Sequence, residues 1–299
     1  RLTGRTRCDV GLFAVVVDGN VGEIRPLAAA GLVVGFKVFL APTTGEIPTP
    51  TDATIRAAMR EIRALGMRLG FHAEDGALIA AETARVRAAG RTDPLAHLDA
   101  RPAEAEVRAI ERIAALAAET GCPVHLYHLS SAPGLAAAER ARALGIDLTA
   151  EVGAQHCFLD AAAMPQVGPR MRVNPPVRRA AEGHQAALLA ALADGRIGMI
   201  ASDHSPHAPG EKLHDDIWRA VSGYAGVETT LRLFLTHGIH EGRLTWPQLA
   251  RAIAEAPART WGLWPRKGAI AAGADADLVL VDPEARGTID EAALHGRTN

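Results

Sequence analysis

Cysteine is scarce in this chain: Cys8, Cys122 and Cys157 stand far apart, with no CxxC pair. That spacing offers no disulfide framework and no thiolate zinc site, and it predicts a protein of a reducing, cytoplasmic compartment. Long apolar runs are missing too, since none reaches the ~18 residues of a membrane span. There is no excess of basic charge, because 32 Lys and Arg face 34 Asp and Glu for a formal net charge of −2. Neither a nucleic-acid footprint nor a polybasic membrane patch is therefore expected. No GxGxxG follows any β-prone run, which leaves a dinucleotide-binding fold without support. The chain opens on Arg1 rather than methionine and leads almost directly into a β-prone run, so the natural polypeptide is expected to begin earlier.

What the sequence does have is a junction repeated five times: an alanine-rich helical stretch, a glycine, a short β-prone run and a polar residue. It reads AAAG-LVVGFK, RALG-MRLGFH, AETG-CPVHLYH, RALG-IDLTAE and LADG-RIGMIASD. The glycines Gly31, Gly66, Gly121, Gly145 and Gly195 stand where a helix ends in a left-handed residue, a conformation glycine takes without a Cβ clash. Ile55, Met59, Ile62 and Leu65 share one helical face, as do Val107, Ile110, Ala114 and Ala117, and as do Leu188, Leu189 and Leu192. The runs after the glycines are too short for helices and fit strands buried on both faces. With Cys8–Val17 counted as the first, strands are expected at 8–17, 32–39, 67–72, 123–129, 146–152 and 197–202. Strands alternating with helices imply βαβ units and a parallel sheet, either an open doubly wound sheet or a closed barrel.

The register of the polar residues carries the functional signal. Lys37, His72, His128, Glu151 and Asp203 follow their glycines by six to eight residues. Each stands at or near the C-terminal end of its strand, the end on which parallel α/β folds build their sites. Neutral imidazoles and carboxylates are good zinc ligands. Asp203 could bind metal while taking a proton from the attacking water, whose pKa a metal lowers towards ~7. One buried histidine alone is ordinarily a satisfied core residue. Two at matching strand ends, with Asp203 in Ser-Asp-His-Ser-Pro-His, point instead to a hydrolytic metal site. Lys37 between Phe36 and Val38 is poorly placed for a solvated lysine, because a buried unpaired ammonium is costly. Glu151 is read as a structural or supporting residue, and His97, His214, His237, His240 and His295 as surface histidines.

Along nearly its whole length the chain resembles the cyclic amidohydrolases: dihydroorotase, allantoinase, hydantoinase and dihydropyrimidinase. The resemblance lies in GFKVFL (35–40), FHAED (71–75), HLYHLSS (125–131), TAEVGAQHCFLD (149–160), RVNPPVR (172–178), ASDHSPHAPGEK (201–212) and GADADLVLVDP (273–283). It implies an α/β fold of the (β/α)8 TIM-barrel type. Residues 1–265 would supply strands three to eight, and the N-terminal strands are missing from this chain. Residues 266–299 would belong to a small β-sandwich domain, with a strand at Ala276–Val281. It also implies two divalent metal ions, zinc by preference, bridged by a carboxylated Lys37. His72 and His128 match the pair that holds the second metal, and Asp203 matches the ligand of the first that serves as general base and then acid. Asn174 and His207 match substrate-contacting residues, and Ser222 and Gly223 a backbone segment that meets the substrate. The family's His-x-His pair, which binds the first metal, has no counterpart here. The ring expected to be opened is that of a small cyclic amide. DHSPH with Lys212, VNPPVR and GYAGVET favours dihydroorotase, whereas KLHDDIWRAVSGYAGVETTL is equally similar to allantoinase or hydantoinase/dihydropyrimidinase. A non-catalytic dihydropyrimidinase-like scaffold is the alternative of another class, and the surviving ligand positions argue against it. The resemblance further implies a homo-oligomer, dimer or tetramer.

Overall fold

The computed structural model describes residues 4, 6–43, 45 and 47–296. Arg1, and residues 297–299 at the end of the expected C-terminal segment, lie outside the described residues.

All six expected strands form, each shorter than its apolar run: β1 Phe13–Val15, β2 Gly35–Phe39, β3 Leu69–His72, β4 Val124–Leu126, β5 Leu148–Val152 and β6 Met199–Ile200. They make one parallel sheet in sequence order, β1 to β6. The ladder limits explain the shortening. The β1–β2 ladder runs from Phe13 opposite Gly35 to Val15 opposite Lys37, with one further bond from the Val34 N–H to the Leu12 carbonyl at 2.8 Å.

Helices lie between successive strands and bury the faces read from the sequence. Helix Asp52–Ala64 starts at Thr51, whose side chain caps the Thr54 N–H, and it buries Ile55, Ala58, Met59 and Ile62. Helix Ala103–Thr120 buries Ile110, Ile113, Leu116 and Ala117, and ends at Gly121 in the left-handed region (φ 66°). The other four junction glycines also have positive φ. One continuous core joins these helices to the sheet through Phe36, Val38, Leu69, Phe71, Val124 and Leu126. No helix among the described residues is long and apolar enough to cross a membrane.

The C-terminal segment departs from expectation. Ala276–Val281 was expected to form a strand, but no strand follows β6 among the described residues. Leu280 is 98% exposed and Val279 74% exposed. A β-prone run with no neighbouring strand to exchange hydrogen bonds with stays irregular. The segment is tied back to the body by charge, since Lys267 Nζ lies 2.6 Å from Asp9, 2.9 Å from Asp275 and 2.5 Å from Asp277.

Candidate functional site

The sheet delivers the polar residues to one place because its strands are parallel and in step. Lys37 is the middle residue of β2, opposite Gly70, and His72 closes β3 opposite Phe39. His128 follows β4, and Asp203 follows β6, just beyond the strand ends. Both have left-handed backbone, φ 39° and 47°, which a non-glycine residue adopts at a cost of roughly 1–3 kcal/mol. Such strain persists only where the surroundings enforce it. Here it occurs at two of the four residues expected to hold metal.

Lys37, His72, His128 and Asp203 line one cavity of about 180 Å³, together with Asn174, Ser222 and Gly223. The cavity is small beside the ~300–1,000 Å³ of pockets for larger ligands, and it suits a single small ring. His207 does not line it; its Nε2–H donates to the Ser222 carbonyl at 3.1 Å.

The Lys37 Nζ is surrounded mainly by ring faces, 4.7 Å from the Phe39 centroid and 4.2 Å from that of Tyr127. Burial lowers its pKa, opposed by the carboxylates of Asp203 and Glu151. Burial also pushes Asp203 up to about 7; the Lys37 charge opposes the shift and Glu151 adds to it. Glu151 itself is paired with His125 Nε2 at 3.1 Å, in keeping with its reading as a supporting residue.

The two histidines face each other, with His72 Nδ1 3.0 Å from His128 Nε2. His72 Nε2 lies 2.9 Å from Glu74 Oε2, so the ring donates there and presents the Nδ1 lone pair to His128. Burial lowers both imidazole pKa values, which keeps the rings neutral. Arg101 in turn grips Glu74 through Nε at 3.1 Å and through Nη2, and holds the Glu74 carboxyl well below its usual range against the effect of burial. The two neutral imidazoles, with His72 Nδ1 and His128 Nε2 3.0 Å apart, suit a divalent cation of the zinc type, although no acid among the described residues joins them in a group of ligand atoms all within 4.8 Å of one another.

Several residues here escaped the sequence reading. Phe39, Thr43, Val173 and Ser205 also line the cavity. Phe39 had a signal, being two residues after Lys37 and therefore on the same side of β2. His97, read as a surface histidine, is 2% exposed, and its Nε2–H donates to the Val173 carbonyl at 3.0 Å. It sits on the short helix Pro94–Asp99, whose inward face buries Ala96, His97 and Leu98.

Gly70 gives a direct test of the packing beneath Lys37. A Cβ at this position would lie 2.3 Å from Cε2 of Tyr127, whose ring is stacked on Trp261 at 6.2 Å. Gly70→Ala is expected to destabilise the fold by about 1–3 kcal/mol, as overpacking does. Urea denaturation measures this, and an unchanged midpoint would show that Tyr127 yields freely.

The pattern of the "Amidohydrolase family" matches residues 25–298. An allantoinase of Solibacter usitatus is 39% identical over 287 residues, covering 96% of this chain and 62% of the relative. A dihydroorotase of Halobacterium salinarum is 38% identical over 287 residues, covering 94% and 62%. Among solved structures, the L-hydantoinase (dihydropyrimidinase) from Arthrobacter aurescens superposes with a TM-score of 0.86 at 34% identity, covering 90% of this chain and 59% of that one. The chain thus spans about three fifths of the length of the proteins it matches.

Proposed function

The chain belongs to the amidohydrolase family, and within it we propose a metal-dependent hydrolase that opens a neutral cyclic ureide ring by breaking a ring C–N bond. The observation that carries this reading is the convergence of Lys37, His72, His128 and Asp203 with Asn174, Ser222 and Gly223 on one ring-sized cavity. The six strands are then strands three to eight of an eight-stranded barrel to which residues 1–265 contribute, with 266–299 part of a small β-sandwich domain.

Bound there, divalent metal ions supply Lewis acidity, making the ring carbonyl more electrophilic and the attacking water more acidic. His72 and His128 would hold one cation through neutral nitrogens, and Glu74 fixes the His72 tautomer that would do so. Lys37, as its carbamate, carries two oxygen donors where an ammonium would repel a cation. Asp203 accepts the proton of the attacking water and returns it to the departing ring nitrogen as the C–O bond forms and the C–N bond breaks. Asn174 Oδ1 is buried, without a partner and on a residue lining the cavity, and it takes a ring N–H.

One feature of the site favours a neutral ring over dihydroorotate, the ring preferred from sequence alone. His207, expected at the substrate, is turned to the Ser222 carbonyl.

A panel of allantoin, hydantoin, dihydrouracil and dihydroorotate, given to the zinc-loaded protein with its zinc content measured, tests the reading. A neutral ureide is expected to lead in kcat/KM, with dihydroorotate at least about 10-fold behind. Leadership by dihydroorotate would sink the ring assignment. A protein that retains no zinc and opens no ring would be the scaffold instead.

A further inference from the structure

Lys212 is fully buried, yet it belongs to no group described so far. It ends the short helix Pro209–Lys212, and its Nζ donates to three main-chain carbonyls: Arg172 at 2.6 Å, Val221 at 3.2 Å and Gly223. These belong to two separate stretches of chain. One leads into Val173 and Asn174, and the other contains Ser222 and Gly223, so both line the cavity.

The second stretch is held from behind along its length. Arg172 Nη1 takes the Ala220 carbonyl, Lys212 those of Val221 and Gly223, His207 that of Ser222, and the Ser205 N–H that of Tyr224. Every carbonyl from Ala220 to Tyr224 thus has a donor. The Gly223 N–H also returns to the Arg172 carbonyl at 3.0 Å. At Gly223 (φ 136°) an added Cβ would lie 2.6 Å from the Ser205 carbonyl oxygen. Backbone lies against backbone there, with no room for adjustment.

Lys212 donates to main-chain carbonyls of both stretches, and Arg172, itself part of the first, adds its side-chain bond to Ala220. An amine has two N–H donors and an ammonium three, so three carbonyl partners select the charged form, although burial and Arg172 push its pKa down to about 7. Three charge-assisted hydrogen bonds hold a backbone more firmly than neutral ones do.

We propose that Lys212 is a positioning residue that locks residues 172–174 against residues 221–223 and thereby sets how tightly the cyclic substrate is held. This rests on reading the cavity as the ring-binding site. Lys212 is not in the metal-binding group, so its loss acts on binding of the ring rather than on the hydrolytic step.

Lys212→Met removes all three donors, and Lys212→Gln keeps two. In the zinc-loaded protein, Lys212→Met is expected to raise KM for the best ring of the panel by about 10-fold or more, with kcat and zinc content within about 2-fold of wild type. Lys212→Gln falls between the two. Amide hydrogen exchange is the second readout, because tethers that hold a backbone also protect it. Exchange across 172–174 and 221–223 is expected to quicken by about 10-fold in both variants, with β2 and β3 unchanged. If Lys212→Met does not fold, Lys212→Gln decides. Wild-type exchange in both stretches, or a fall in kcat at unchanged KM, overturns the proposal. If the wild-type protein opens no ring, the functional reading fails by itself, and the exchange data still decide whether Lys212 is the lock.

Discussion

Asp203→Asn is expected to lower kcat of the zinc-loaded protein by roughly 10²–10⁴-fold, the range of a lost general acid–base group. The substitution keeps the shape and one oxygen donor, so most of the bound zinc should remain. What it removes is a site able to take a proton from water and hand it on. Burial pushes the Asp203 pKa up to about 7 in the metal-free site, and a bound cation would draw it back toward the ionised form that can accept a proton. Asp203 has left-handed backbone and lines the cavity. Measured turnover and zinc content together separate the roles. Wild-type turnover with full zinc would remove Asp203 from the chemistry, and loss of zinc in step with activity would make it a ligand alone.

Lys37→Ala is expected to be equally severe for a different reason. Deleting the side chain removes the proposed bridge between the metal ions, so activity and at least part of the zinc should disappear together. Short carboxylic acids such as acetate should restore a fraction of the turnover, because they can place two oxygens where the carbamate stood. The wild-type side chain offers a second check by mass spectrometry: carboxylation adds carbon dioxide to the amine nitrogen and releases one proton. Burial disfavours the ammonium and so favours that reaction, against the Asp203 and Glu151 carboxylates and the ring faces of Phe39 and Tyr127, which attract the cation. A metal-loaded protein with unmodified Lys37 would rule out the bridge.

The sequence made the sheet legible because its punctuation is local. Each glycine ends a helix by its own backbone preference, and each β-prone run follows at once, so no long-range information was needed to find β2 to β6. The placement of Lys37, His72, His128 and Asp203 followed from the same register, because parallel strands that start in step also end in step. Features built between distant segments were not legible. Nothing in FHAED announces that Arg101 will grip Glu74, and nothing in APGEK says that Lys212 will reach the carbonyls of 172, 221 and 223. His97 was misread for the same reason: on a six-residue helix its direction is set by what packs around it. The C-terminal run shows the converse, a clear strand pattern that stays irregular because pattern does not supply a partner.

The four residues proposed to hold metal arrive on or just after four different strands, each separated from the next by at least one helix. No fragment of the chain can therefore inherit the centre, and a deletion that unravels any one of β2, β3, β4 or β6 silences all of it at once. Descendants of such a protein would drift by exchanging the loops that frame the cavity, changing which ring is accepted while leaving the hydrolytic machinery whole or losing it entirely.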